Sequence, residues 1–235
     1  MRAALSGLLV AALAAPAAGG EVSGTVRAHP LPAPPPVVLI AKDASVCGRE
    51  APADRLVLGP GGALANVVVW LKGARGPRPP RPTAGAVVDQ VACRYRPHVQ
   101  AVTVGTTLSL LNNDAVLHNV HATSESGPSP VTVFNVAMPF KGENVPTILR
   151  RPGVMSLRCD AGHSWMSAYI HVFDHPYFAV TDGEGRFTIK DVPPGRYTVE
   201  YWHEPVDDKG RPVVKTATIE VAPGRHAPAD ATLAL

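Results

Sequence analysis

The chain has 235 residues, enough to bury one large hydrophobic core or two smaller ones. Its formal net charge is +3, and its densest basic stretch, residues 75–81, is interleaved with glycine and proline. A nucleic-acid-binding surface needs basic residues clustered on one face or stripe. The composition therefore argues against nucleic acid as a partner.

The first twenty residues have the pattern of an export signal. A short positive start, Met1-Arg2, precedes an apolar run over residues 5–15 and a string of small residues over 15–20. This order predicts a signal peptide over residues 1–20, with cleavage between Ala17 and Gly20. A membrane anchor is the less favoured alternative, because a spanning helix needs about 20 apolar residues and no stretch of the chain approaches that length. We expect a periplasmic or extracellular protein with no stable membrane span.

Three cysteines are present, and an odd number in an exported protein leaves one thiol to explain. Cys47 and Cys93 lie beside turn or strand-edge sequence. If paired, they close a long loop and stabilise the fold by about 4 kcal/mol. Cys159 is then the remaining thiol, and it lies among residue types that bind metals. A buried structural thiol is the alternative for Cys159.

After the signal segment, the chain shows almost no helical periodicity. Apolar residues alternate with polar ones in short runs, which is typical of half-buried strands. The alternating sets are Val102, Val104, Leu108 and Leu110; Met155, Leu157 and Cys159; Ala168, Ile170 and Val172; Tyr197, Val199 and Tyr201; and Ala217, Ile219 and Val221. Turn-forming sequences such as Pro193-Pro194-Gly195 separate the runs. The sequence predicts an all-β protein.

The C-terminal block resembles the carboxypeptidase regulatory-like family of small, transthyretin-like or Ig-like β-sandwiches. The resemblance rests on Thr181-Asp182, on Gly185-Arg186-Phe187 and on the turn Pro194-Gly195-Arg196-Tyr197. The strands that begin such modules match Gly24-Thr25-Val26 and the run at residues 65–69, far upstream. We expect residues 21–72 and 177–235 to form one sandwich, with a Gly/Pro-rich linker at residues 73–85. A second domain, residues 86–176, is then inserted in it or joined to it. This family is structural or adhesive and implies no chemistry.

The middle block carries residues suited to binding a metal. Cys159, His163 and Met166 fall within one short loop, and His118 comes from a distant segment. A thiolate with two imidazoles forms a trigonal set that copper favours, and a thioether can complete it as a weak axial ligand. A loop that follows a strand can wrap these side chains around one ion.

Residues 86–175 resemble the cupredoxins, in particular those of the amicyanin and plastocyanin type. The resemblance rests on Asn112-Asn113-Asp114, on His118-Asn119-Val120 and on the stretch from Gly153 to Met166. It implies a Greek-key β-sandwich with one copper ion, held by His118, Cys159 and His163 and weakly by Met166. It further implies that Asn119 hydrogen-bonds the two ligand loops together. His163 would lie nearest the surface as the electron's exit, beside Trp165 as a docking contact.

The sequence departs from that family at one point and leaves some alternatives open. Three residues separate Cys159 from His163 where the family has two, so an extra residue, Gly162, must bulge. Met166 has ordinary core filling as its alternative. His121 and His98 are candidate residues around the ligands, or additional nitrogen donors.

The functional hypothesis is exported copper binding with one-electron transfer to a redox partner protein of unknown identity. The combination of the two domains also resembles exported proteins described as methylamine-utilisation-like. A copper carrier or storage protein and a metal-free surface adhesion module are the alternatives. An enzyme is not expected, because a site with four protein ligands leaves no open position for a substrate.

Overall fold

The computed structural model describes residues 18–34, 37–51, 54–75, 85–127, 129–206 and 210–235. Residues 1–17 of the predicted signal peptide and residues 76–84 of the predicted linker lie outside the described residues. The first elements in chain order are β1 (Gly20–Ala28), β2 (Val38–Leu39), α1 (Ala44–Cys47), β3 (Glu50–Ala51), a 3₁₀ turn (Pro60–Gly62), β4 (Val68–Lys72), β5 (Ala86–Gln90), β6 (Tyr95–Arg96), β7 (Val99–Thr103), β8 (Thr107–Asn112) and β9 (His118–Ser124). The remaining strands are β10 (Val131–Met138), β11 (Glu143–Ile148), β12 (Gly153–Arg158), β13 (Ser167–Phe173), β14 (Phe178–Val180), β15 (Arg186–Val192), β16 (Gly195–His203), β17 (Val213–Val221), β18 (His226–Pro228) and β19 (Ala231–Leu233). The prediction of an all-β fold is confirmed.

The strands β5–β13 form one β-sandwich, here called the central sandwich. Its larger sheet has the order β10-β9-β12-β13-β7, and its smaller sheet has the order β11-β8-β5-β6. Met155 and Leu157 on β12 point into the core between the sheets, as their alternation predicts. The alternating run at residues 102–110 belongs to two strands, because Gly105 turns the chain with a φ of 91°. That turn carries the chain from β7 in one sheet to β8 in the other.

The strands on either side of the central sandwich pair with each other in a second β-sandwich, here called the terminal sandwich. One of its sheets contains β1, β15, β18 and β19, and the other has the order β14-β4-β16-β17. In the first sheet Gly24 lies opposite Phe187, and in the second Val69 lies opposite Tyr201. The Tyr201 hydroxyl donates a hydrogen bond of 2.7 Å to the Ala229 carbonyl across the core. Chain segments more than 100 residues apart are therefore neighbours in one structure.

An aromatic and apolar contact joins the two sandwiches. Val68 and Trp202 of the terminal sandwich pack with Val99 of the central one. The Trp202 ring lies 4.4 Å, centroid to centroid, from the ring of His171 on β13. Because β13 also carries the chain away from the predicted metal loop, this contact fixes the central sandwich against the β14-β4-β16-β17 sheet of the terminal one.

The segment over residues 38–51 packs on the central sandwich, although the sequence groups it with residues 21–72. Ile40, Cys47 and Ala51 are buried in the central core, and a disulfide joins Cys47 to Cys93. The predicted disulfide is thereby confirmed, and it holds this segment beside the predicted metal loop. Among the residues described, none of the helices is long and apolar enough to cross a membrane.

Candidate metal centre

A thiol and two imidazole rings converge at one end of the central sandwich. Cys159 follows β12, His163 lies in the loop between β12 and β13, and His118 is the first residue of β9. The Cys159 Sγ lies 3.6 Å from Nδ1 of His163 and 4.0 Å from Nδ1 of His118. The two Nδ1 atoms are 3.1 Å apart. Three donor atoms of the type that copper prefers therefore surround one point.

The three side chains are buried from solvent. The rings of His118 and His163 are inaccessible, and Cys159 is 5% exposed. Burial lowers the pKa of His118, although its hydrogen bond with Asp114 acts in the opposite direction. The neutral imidazole that burial favours is the form that binds metals, because a ligand nitrogen must carry a free lone pair.

Asp114 fixes the orientation of His118. Its Oδ2 lies 2.9 Å from His118 Nε2 and accepts a bond of 2.7 Å from the Cys93 backbone N–H, while its Oδ1 accepts one of 2.8 Å from the Ala92 N–H. A carboxylate that binds the outer nitrogen of a histidine sets the ring's tautomer and aims the other nitrogen inward. Asp114 therefore directs Nδ1 of His118 toward the thiol. Cys93 also approaches this group of side chains, but its sulfur is held in the disulfide.

Asp43 does the same for His163, from the other side. Asp43 Oδ2 lies 2.9 Å from His163 Nε2, and its side chain is 33% exposed while the His163 ring is fully buried. The resemblance implied that His163 lies nearest the surface; in the structure its ring is fully buried, because Asp43 of the 38–51 segment covers its outer edge. Trp165 is half-buried and donates its Nε1 hydrogen to the Cys93 carbonyl at 3.0 Å.

Asn119 joins the two ligand-bearing segments. Its Oδ1 accepts hydrogen bonds from the backbone N–H groups of Asp160 at 2.6 Å and Ala161 at 3.1 Å. The start of the metal loop is thus bonded to the residue that follows His118. Gly162, the extra residue between Cys159 and His163, has a φ of 91°, a left-handed conformation that glycine adopts without strain.

Two buried methionines flank the cluster. Met166 is 1% exposed, and its backbone N–H donates to the His163 carbonyl at 2.9 Å. Met138 lies opposite His118 in the pairing of β10 with β9, and its sulfur accepts a hydrogen bond of 3.0 Å from Gln90 Nε2. Since the Met138 sulfur is engaged, Met166 remains the thioether to consider as a fourth ligand.

His121 and His98 do not join the cluster. Nδ1 of His121 lies 2.6 Å from Asp160 Oδ2, and its Nε2 lies 2.8 Å from the Thr132 hydroxyl. His98 lies at the contact between the sandwiches, where one ring nitrogen bonds to the Ser167 carbonyl and the other to the Glu204 carboxylate. His121 is thus in a polar network beside the metal loop, and His98 belongs to another part of the molecule.

The two carboxylates, Asp43 and Asp114, are the site residues that sequence reasoning missed. Asp114 stands four residues before His118, a spacing that does not by itself identify a partner. Asp43 lies 120 positions from His163. The signal available for Asp43 was Cys47, since a disulfide to Cys93 brings its neighbours toward the site.

Comparison with known proteins gives distant structural matches to copper proteins. A copper-containing nitrite reductase from Thermus scotoductus SA-01 matches with a TM-score of 0.33 and 23% identity over 44% of this chain and 24% of its own. An amicyanin variant in the oxidised state matches with a TM-score of 0.33 and 26% identity, over 38% of this chain and 82% of its own. A purple cupredoxin from Nitrosopumilus maritimus matches with a TM-score of 0.32 and 23% identity, over 37% and 99%. The chain thus spans about a quarter of the nitrite reductase. No family model and no curated protein matches the sequence.

Proposed function

We propose that this protein binds one copper ion and transfers single electrons through it. The observation that carries the proposal is the convergence of Cys159 Sγ with the Nδ1 atoms of His118 and His163 inside a buried pocket. A soft thiolate with two imidazoles selects copper over harder metals. Met166, buried beside this group, is the proposed weak axial ligand.

The chain's own residues hold the ligands in one arrangement. Asp114 and Asp43 each occupy the outer nitrogen of one histidine, and Asn119 ties the metal loop to β9. Bound copper would supply a reversible one-electron couple. A ligand set held by sheets and hydrogen bonds rearranges little when the charge of the centre changes, which favours rapid electron transfer.

We propose that the protein works outside the cytoplasm with a redox partner protein. The disulfide between Cys47 and Cys93 supports this, because structural disulfides persist in oxidising compartments. The proposed role is that of a carrier and not an enzyme, since four protein ligands would leave no position for a substrate. The terminal sandwich would be a structural module.

The experiment is the visible absorption spectrum of the mature protein after addition of Cu(II), measured for the wild type and for Cys159→Ser. We expect an intense thiolate-to-copper band in the wild type that is absent in the variant, because the variant has no thiolate to donate charge. Voltammetry of the wild type should then show a reversible one-electron wave. Weak bands that are the same in both proteins would eliminate the thiolate site and favour a metal-free adhesion module.

Copper carriage is a second candidate, favoured by the burial of His163 under Asp43. An electron carrier gains from an exposed ligand edge, whereas a carrier of the ion gains from a closed site that opens for its partner. Electron self-exchange and transfer of Cu(I) to a chelator distinguish the two. Slow self-exchange combined with ready transfer of the ion would favour carriage.

A further inference from the structure

We infer that the 38–51 segment is a disulfide-anchored cover of the metal centre, in which Asp43 is a positioning residue that holds His163 and closes the approach to Cys159. The inference extends the proposed copper site to the segment that controls access to it. It can be tested in the copper-free protein, so its outcome is independent of whether copper is the metal.

Two adjacent residues of the segment contact the metal loop. Asp43 bonds to His163 Nε2 at 2.9 Å, and the Lys42 ammonium donates a hydrogen bond to the Ala161 carbonyl. The aliphatic part of Lys42 lies over Gly162, so that a Cβ built on this glycine would be 3.0 Å from Lys42 Cδ. The segment thus contacts three successive residues of the loop that carries the predicted ligands.

The disulfide connects the cover to the support of the other histidine. The helix α1 begins directly after Lys42 and Asp43 and ends at Cys47. Cys47 is bonded to Cys93 by the disulfide. The Cys93 backbone N–H donates to Asp114 Oδ2, the oxygen that also contacts His118. The disulfide therefore connects the segment that carries Asp43 to the backbone that holds Asp114 in place behind His118.

The position of Asp43 depends on these contacts and not on regular structure of the segment itself. The segment contains two strands of two residues each and a helix of four residues. Asp43 has a φ of 52°, a left-handed conformation that Asp adopts more often than most residues other than glycine. With so little regular structure in the segment, we expect its position to depend on its anchors. Asp43 is the boundary between solvent and the fully buried His163 ring.

The test is the rate at which iodoacetamide alkylates Cys159 in the copper-free protein with the disulfide intact. Asp43→Ala should raise this rate about tenfold, because a hydrogen bond to a charged group no longer holds the cover closed. Asp43→Asn should stay near the wild-type rate, since its amide oxygen still accepts the bond. Glu50→Ala is the matched control, because Glu50 is an exposed carboxylate on the same segment. An alkylation rate in Asp43→Ala no higher than that in Glu50→Ala would overturn the inference.

A second variant tests the anchor. Cys47→Ser combined with Cys93→Ser should also raise the alkylation rate of Cys159, with circular dichroism confirming that the sheets remain folded. If this folded variant reacts at the wild-type rate, the segment is not held as a cover by the disulfide and the inference fails.

The copper-loaded protein supplies an independent measurement. Asp43→Ala should lower the affinity for Cu(I), measured by competition with a chelator, by about 10- to 100-fold. Asp43→Asn keeps the geometry but removes a negative charge beside the ligand, so its reduction potential should be higher than that of the wild type. An unchanged affinity in Asp43→Ala would contradict the positioning role. Failure of the wild type to bind copper, with the alkylation pattern as expected, would instead overturn the proposed function and leave the cover in place.

Discussion

At the scale of single residues, each buried histidine of the centre uses its two ring nitrogens differently. The Nδ1 atoms of His118 and His163 face the Cys159 thiol, and each Nε2 faces a carboxylate. The two carboxylates differ in their surroundings. Asp114 is 6% exposed and accepts two backbone hydrogen bonds besides that of the histidine, whereas Asp43 stands at the surface. Asp114 should therefore stabilise the fold as well as orient its histidine.

Replacement of Asp114 by alanine should lower the free energy of unfolding of the copper-free protein by about 2–4 kcal/mol. The reason is that the backbone N–H groups of Ala92 and Cys93 would lose their buried acceptor. Urea unfolding followed by circular dichroism measures this. Asp89→Ala is the control, because among the described residues the Asp89 carboxylate is bonded only to the exposed Asn113 side chain. An equal loss in both variants would mean that Asp114 stabilises no more than a surface carboxylate does.

One short loop predicts that Cys159 and His163 lie together, and the resemblance of His118-Asn119-Val120 adds His118, but neither predicts what supports the cluster. Cys159 and His163 share one loop, and a loop of that length can hardly separate them. Which carboxylate meets a histidine's outer nitrogen depends instead on how distant segments pack. Near Asp43, only Cys47, through its disulfide to Cys93, points to a partner 120 positions away, and it does not say which carboxylate is used.

At the scale of elements, Asn119 joins β9 to the loop after β12. Its side-chain oxygen accepts two backbone hydrogen bonds from the loop, and its Nδ2 donates to Asn135 on β10 at 2.7 Å. One side chain thus bridges three chain segments around the metal centre. The resemblance implied bonds of this kind, and the structure supplies their donors and acceptors.

Asn119→Ala should loosen the start of the metal loop and lower the free energy of unfolding by about 1–3 kcal/mol. Amide hydrogen exchange should become faster at Asp160 and Ala161, because these N–H groups lose their acceptor. Asn135→Ala is the matched control, since it removes the partner of Asn119 Nδ2 and a 3.4 Å bond to the Asp160 carboxylate but leaves both backbone N–H bonds from the loop to Asn119 Oδ1. Unchanged exchange at both amides in Asn119→Ala would show that the loop does not depend on this bridge.

The alternation of apolar residues predicts most strands but not where each run turns. The sets on β12 and β13 are buried as expected, because a strand places every second side chain on the same face. The run at residues 102–110 keeps its period across Gly105, although the chain there passes from one sheet to the other. Periodicity likewise does not reveal that the 38–51 segment leaves the terminal sandwich to pack on the central one. That placement follows from a disulfide and tertiary contacts.

At the scale of the whole molecule, the contact between the two sandwiches contains buried ionisable groups. His171 and His203 are 2% and 1% exposed, and Nε2 of each has no hydrogen-bond partner among the described residues. Burial lowers the pKa of His171 to about 3 and that of His203 to about 4. Both rings are therefore neutral in the folded protein near neutral pH. Glu204 lies at the same contact, bonded to His98, and burial raises its pKa.

These pKa shifts predict that acid lowers the free energy of unfolding through the contact between the sandwiches. An unfolded histidine takes up a proton near pH 6.5, whereas His171 and His203 resist protonation until about pH 3 and 4 in the folded state. The stability that they contribute is complete above about pH 6.5 and is lost as the pH falls toward those values. Glu204 opposes the trend, because a raised pKa lets the folded protein take up a proton earlier than the unfolded chain.

The variant His171→Leu removes the proton that His171 takes up when the protein unfolds in acid. Between pH 6 and pH 4, the slope of the free energy of unfolding against pH should fall by up to about 1.4 kcal/mol per pH unit, the value for one proton. Urea unfolding of the copper-free protein at several pH values measures this slope. Loss of ring contacts with Trp202 lowers the free energy of unfolding by the same amount at every pH and does not change the slope.

His29→Leu, at an exposed position, is the control for a histidine-to-leucine change. An equal slope in the wild type and in His171→Leu would mean that His171 is protonated in the folded protein as readily as in the unfolded chain, and that the contact between the sandwiches does not respond to acid through this ring.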